Sequence, residues 1–203
     1  MANKALVYAI YPNEKQNIQC QKTFGCCRFV YNHMLSLQQD RYKNGEKHLN
    51  KKNANNYCNQ QFKEDYPFLK EVDKFALTNE IYHLENGYDR FFKHLSKFPK
   101  FKSKHKSKKS YTTNFTNGNI EVGENFVKLP KLGVVKAKIH RKPEAGWKIK
   151  SATVTQNRDG SYQVSVLFAF EETIPNADAT EATTVGLDYK SDGLYVSSNG
   201  ETC

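Results

Sequence analysis

Beyond Pro12 the hydrophobic period of this chain changes near residue 110, and that change fixes its class. Before it, apolar side chains recur every three or four positions; after it, they alternate within short runs broken by asparagine and glycine. In the first half, Phe24, Cys27, Val30, Tyr31, Met34 and Leu35 share one face of a helix predicted from about Ile18 to Lys43, which Asn44-Gly45 ends. Leu77, Ile81, Leu84, Tyr88, Phe91, Phe92 and Leu95 form the stripe of a second helix, predicted from about Asp73 to Lys97 with Pro99 as its stop. Between them, the asparagine-rich stretch Asn50 to Gln61 also reads as helical, and Tyr66-Pro67 marks a break. Each apolar stripe needs burying, so a small bundle is expected.

The second half reads as strands. Asn117-Gly118, between Tyr111 to Thr116 and Asn119 to Val122, predicts a hairpin. Phe126 to Leu129 and Val134 to His140 supply short strands, and Asn157 to Gly160 joins Lys148 to Gln156 with Ser161 to Phe170 in a second hairpin. Tyr162, Val164, Val166, Phe168 and Phe170 alternate in its return strand, so one face is buried. Ala5 to Tyr11, ahead of Pro12, reads as a further strand. The fold class expected is α+β, with a small helical bundle and a compact antiparallel β-barrel.

Charge is divided along the chain. Of a net +10, residues 1–89 carry twelve Lys/Arg against ten Asp/Glu, residues 90–150 seventeen against three, and residues 151–203 two against eight. No acidic residue occurs from Arg90 to Ile120, where Lys93, Lys97, Lys100, Lys102, Lys104, Lys106, Lys108 and Lys109 crowd together. Such density repels itself unless a polyanion neutralises it. Phe92, Phe98, Phe101, Tyr111 and Phe115 are interleaved with these lysines. Aromatic faces stack on unpaired bases while ammonium groups track phosphates, so nucleic acid is the expected partner.

Other chemistry finds little support. The six histidines are scattered, with no Ser-His-Asp or Cys-His setting, and the glycines sit at turns rather than in a phosphate loop. Five cysteines form no CxxC pair, which argues against a zinc site or a disulfide framework, and Cys26 and Cys27 read as helix packing. No run of about 18 apolar residues exists and no signal-peptide core opens the chain, so a soluble cytoplasmic protein without a membrane partner is expected. The catalytic and metal-binding candidate is Asp188, which ends the apolar run Thr183 to Leu187. Carboxylates at strand ends hold Mg²⁺ in two-metal nucleases, although one carboxylate is too few.

Four motifs occur in order: FGCCRFVYN at Phe24 to Asn32, YPFLKEVDKFALTNEIYHLENGYDRFFK at Tyr66 to Lys93, FPKFKSK at Phe98 to Lys104, and VGLDYKSDGLYVSSNG at Val185 to Gly200. Together they resemble the N-terminal part of the TnpB (OrfB) proteins of insertion sequences. That resemblance implies an RNA-guided DNA endonuclease, long called a transposase and credited with a helix-turn-helix, whose partners are guide RNA and target DNA. It implies a first wedge strand over residues 1–12, a helical recognition lobe over 13–100 and a nucleic-acid-binding barrel over 101–172. A linker over 173–182 and the opening strands of an RNase H-like (RuvC) nuclease over 183–203 would follow.

Asp188 then matches the first RuvC carboxylate, a Mg²⁺ ligand, although Lys190 stands where many relatives have glycine. Arg28, Asn32, Phe98, Lys100, Phe101, Lys102, Lys104, Lys106, Lys108 and Lys109 are the nucleic-acid contacts expected. The later acidic residues and the zinc-binding CxxC pairs of the family have no counterpart here. The expectation is therefore a chain that binds nucleic acid without cutting it alone; the alternative is a stand-alone nucleic-acid-binding regulator that has lost the nuclease. The oligomeric state is left open.

Overall fold

A computed structural model describes residues 2–171, 185–189 and 193–200. They fall into two units, Met1–Phe170 and Glu171–Cys203. In the first, strand β1 (Ala2–Tyr11) leads into helix α1 (Glu14–Lys43). Asn13 and Gln16 form a capping box there, each side-chain oxygen accepting from the other's main-chain N–H at 2.9 and 3.0 Å, so the helix starts at Glu14 rather than Ile18. Helix α2 (Lys51–Tyr57) runs through a π turn (Cys58–Phe62) into the short α3 (Lys63–Asp65), so the asparagine-rich stretch is helical as expected. A 3₁₀ turn (Pro67–Glu71) precedes α4 (Lys74–Phe92).

Helix α4 ends earlier than its apolar stripe predicts. His94, at φ 58°, closes it with a Schellman motif in which Leu95 N–H donates to Arg90 C=O at 2.8 Å and His94 N–H to Phe91 C=O at 2.9 Å. Phe92 and Leu95 therefore leave the buried face and stand 69% and 65% exposed. Farther along, Pro99 packs back against the helix at Gly87, where an added Cβ would lie 3.4 Å from the proline ring.

The remaining strands are β2 (Lys109–Asn114), β3 (Glu121–Val122), β4 (Phe126–Leu129), β5 (Gly133–Lys138), β6 (Lys148–Gln156) and β7 (Tyr162–Phe170). They join β1 in one antiparallel sheet of order β2-β6-β7-β1-β5-β4-β3. The β6–β7 hairpin forms as predicted, with Asn157 N–H donating to Ser161 C=O at 2.8 Å and Gly160 at φ 87°. The hairpin predicted at Asn117-Gly118 does not. Those residues make a tight turn at φ 48° and 72°, yet the strands beside it sit at opposite edges of the sheet.

That placement forces the sheet to curl. Residues 114 to 121, with a turn between them, reach roughly 21 Å, whereas a flat seven-stranded sheet is about 29 Å across. Curling is nevertheless incomplete: β2 and β3 do not pair, so the closed barrel expected from the sequence is an open curled sheet. Leu6, Tyr8 and Ile10 of β1, Val135 and Ala137 of β5, and Val164, Val166 and Phe168 of β7 fill its concave side. Helices α1 and α4 lie together and both meet β2: the Phe24 and Tyr111 rings are 5.8 Å apart, and Asn79 Nδ2 donates to Thr112 C=O at 2.8 Å.

The described residues of the second unit include an antiparallel pair, β8 (Leu187–Tyr189) and β9 (Tyr195–Ser197), with Asp188 opposite Val196. The polar linker expected over 173–182 lies outside the described residues. RNase H-like architecture is not developed by this pair alone. Among the described residues, no helix is long and apolar enough to cross a membrane.

Candidate nucleic-acid interface

The part of the lysine-rich segment that follows Phe98 and Pro99 is tied to the helices at Lys102. Asn32 on α1 accepts from Lys102 N–H at 2.7 Å and donates to Lys102 C=O at 2.9 Å, so both polar atoms of its amide are spent on one main-chain unit. The Lys102 ammonium lies 4.3 Å from the centre of the Tyr31 ring and pairs with Glu80 of α4. Glu80 is 3% exposed, and His83 Nδ1 stands 3.6 Å from its other oxygen. Burial pushes the Glu80 carboxyl upward, but the neighbouring His83 and the Lys102 ammonium outweigh that and hold it below its ordinary value. Three of the four sequence motifs thus meet at one ammonium group.

Beyond Lys102 the chain folds into a tight loop. Ser107 N–H donates to Ser103 C=O at 3.2 Å, Ser103 N–H to Ser107 Oγ at 2.9 Å and Lys106 N–H to Ser103 Oγ at 3.0 Å. This loop presents Lys104, Lys106 and Lys108 to solvent. Lys109 then opens β2 and its ammonium donates to Gln156 at 3.1 Å. Gln21 of α1 donates to the same Gln156 oxygen at 2.9 Å and to the Tyr162 hydroxyl at 2.7 Å. The loop and the β6–β7 turn wall an open groove of about 840 Å³, lined by Lys106, Lys108, Lys109, Asn157 and Arg158 among others. All of its charged lining residues are basic. Such a groove can hold a phosphodiester backbone.

The other nominated residues lie around this frame. Arg28, half-buried on α1, borders a small recess shared with Glu80, Lys102, Lys108 and Lys109. Lys100 is exposed. Phe98 packs edge-on against Tyr88 and Phe91, with ring centroids 5.6 and 5.2 Å away, whereas Phe101 is 56% exposed. Asn32 and Lys102 are engaged inside the protein. Sequence reasoning did not single out Arg158, whose turn context looked purely structural, or Glu80, an acid on an apolar face.

Asp188 is exposed on β8, in the second unit. Among the described residues no group of three or more His, Cys, Asp or Glu side chains could hold a metal ion, so these residues alone do not fit a two-metal centre. The cysteines fit none either. Cys20, Cys26, Cys27 and Cys58 are buried, and burial pushes the Cys20 thiol up to about 12 and those of Cys26 and Cys58 to about 11.

A helix-turn-helix domain model of the OrfB type (HTH_OrfB_IS605) matches residues 1–47. Over 204 residues the chain is 31% identical to a Streptomyces pristinaespiralis protein named "Putative RNA-guided DNA endonuclease", covering 98% of this chain and 48% of that protein. It resembles the TnpB (OrfB) proteins of insertion sequences over nearly its whole length. An Escherichia coli K12 protein of the same designation, InsQ, is 26% identical over 187 residues, covering 91% of this chain and 44% of its own length. The chain therefore spans about half the length of the curated TnpB relatives it matches.

The span matched by the helix-turn-helix model folds as β1 followed by one uninterrupted helix, α1. The partner that packs along α1 is α4, which comes from a later motif.

Proposed function

We propose that this chain is the nucleic-acid-holding part of a TnpB-type RNA-guided DNA endonuclease, with guide RNA and target DNA as its partners. The observation that carries the reading is the basic loop anchored at Lys102 facing Arg158 across a groove without acidic lining. Lys104, Lys106, Lys108, Lys109 and Arg158 contact phosphates in this reading. Arg28 and Lys100 extend the track on either side, and Phe101, with the exposed edge of Phe98, stacks on unpaired bases. Asn32 and Lys102 act by holding the loop.

Asp188 supplies one Mg²⁺ ligand; the rest of that centre would come from outside the described residues. On this reading the 203 residues bind without cutting.

The test is binding of a fluorescent RNA hairpin to the purified chain across a salt series. Salt-sensitive binding is expected, and it should weaken when Lys100, Lys104, Lys106, Lys108 and Arg158 are changed to glutamine together. Unchanged affinity in that variant overturns the interface. Mg²⁺-dependent DNA cleavage by these 203 residues, lost in Asp188→Ala, would overturn the assignment of binding without cutting.

A further inference from the structure

We infer that a buried acid, Glu80, strengthens nucleic-acid binding, acting with Asn32 as a positioning residue for the basic loop. This rests on the reading above. Glu80 is too enclosed to meet a polyanion, so its influence passes through Lys102, whose ammonium it holds against the Tyr31 ring. Asn32 fixes the same residue from the other side through its N–H and C=O. Between Lys102 and β2 the loop has little else to hold it: its hydrogen bonds run between Ser103, Lys106 and Ser107, within the loop itself. Where Lys104, Lys106 and Lys108 stand relative to Arg158 is therefore set by the clamp at Lys102 and the Lys109–Gln156 register of β2.

The two possible roles of Glu80 have opposite signs. As a bare negative charge it opposes a polyanion, and Glu80→Gln, one unit more positive, would bind more tightly. As a positioning residue it favours binding, and Glu80→Gln frees Lys102 and disperses the loop. A role in stability alone gives a third pattern: it lowers the competent fraction without changing how many counterions each bound molecule releases.

The experiment measures RNA-hairpin affinity across a salt series for the 203-residue chain, for Glu80→Gln, for Asn32→Ala and for a variant with Lys104, Lys106 and Lys108 changed to glutamine. Both Glu80→Gln and Asn32→Ala should bind about fivefold to tenfold more weakly near 0.1 M salt, with the slope of log K against log salt shallower by about one, the loss of one phosphate contact. Amide hydrogen exchange should quicken across 103–107 while β6 and β7 keep their protection. Affinity equal to or above that of the parent in Glu80→Gln overturns the inference, as does weaker binding with an unchanged slope. If Glu80→Gln does not fold, Asn32→Ala, which changes no charge, decides by the same slope. Should the triple lysine variant bind like the parent, the reading of the interface fails and takes this inference with it; should only that variant weaken, the inference alone fails.

Discussion

Asn32 grips Lys102 by both main-chain polar groups, joining residues 70 positions apart as two strands of a sheet would be joined. A single amide side chain thereby does the work of a ladder rung. Asn32→Ala removes both hydrogen bonds and leaves a partly buried N–H and C=O unpaired, which should cost about 1–3 kcal/mol. The midpoint of urea unfolding, followed by circular dichroism, reports it.

Acid should destabilise the same cluster. The Glu80 carboxyl is held below its ordinary value of 4.5 in the folded chain, so its contribution is present above that value and is lost as pH falls through the lower, folded one. Urea midpoints measured downward from pH 6 should decline for the parent protein. Glu80→Gln should lose less over the same range.

The seam between helices and sheet should tolerate no cavity. Ile81 is fully enclosed on α4, and Ile81→Ala should destabilise by about 2–5 kcal/mol, because the missing methyl groups leave a void that rigid neighbours do not fill. Thermal unfolding compared with that of Phe92→Ala, at an exposed position one turn past the buried face, separates burial from side-chain size.

Arg158 offers a test of the groove that leaves the clamp intact. Arg158→Gln should make the salt slope of RNA binding shallower by about one while unfolding remains within about 0.5 kcal/mol of the parent, since the side chain lies on an exposed turn.

The buried thiols should be unreactive. Cys20, Cys26 and Cys58 combine enclosure with raised pKa values, and Cys27 is raised as well, so little thiolate forms near neutral pH. Iodoacetamide at pH 7.5, read by mass spectrometry, should leave these four unmodified in the native protein and label them in urea.

Local pattern made the long helices and the β6–β7 hairpin legible, because apolar spacing and turn residues act within a few positions. Its limits lay at contacts between distant segments. Asn117-Gly118 has the residues of a hairpin turn, but β2 finds a better partner in β6, which supplies six paired positions where β3 has only two residues. His94 ends α4 in a conformation that glycine usually signals, so the premature stop carried no marker. The basic stretch was plain from charge alone. Its organisation was not, since Glu80 reads as one more acid on a helix until Lys102 reaches it, and Arg158 as an ordinary turn residue until the lysine loop folds beside it.

Strand β1 sits between β7 and β5, and Ala2, at the start of the chain, pairs with Phe170. Synthesis therefore makes the middle of the sheet before either strand that pairs with it. At a translation rate of about 5–20 residues per second, the opening ten residues wait roughly ten to thirty seconds on the ribosome for their partners. Deleting those residues would not trim an edge. It would part β2-β6-β7 from β5-β4-β3, so the keystone of the sheet is made before either of the strands that receive it.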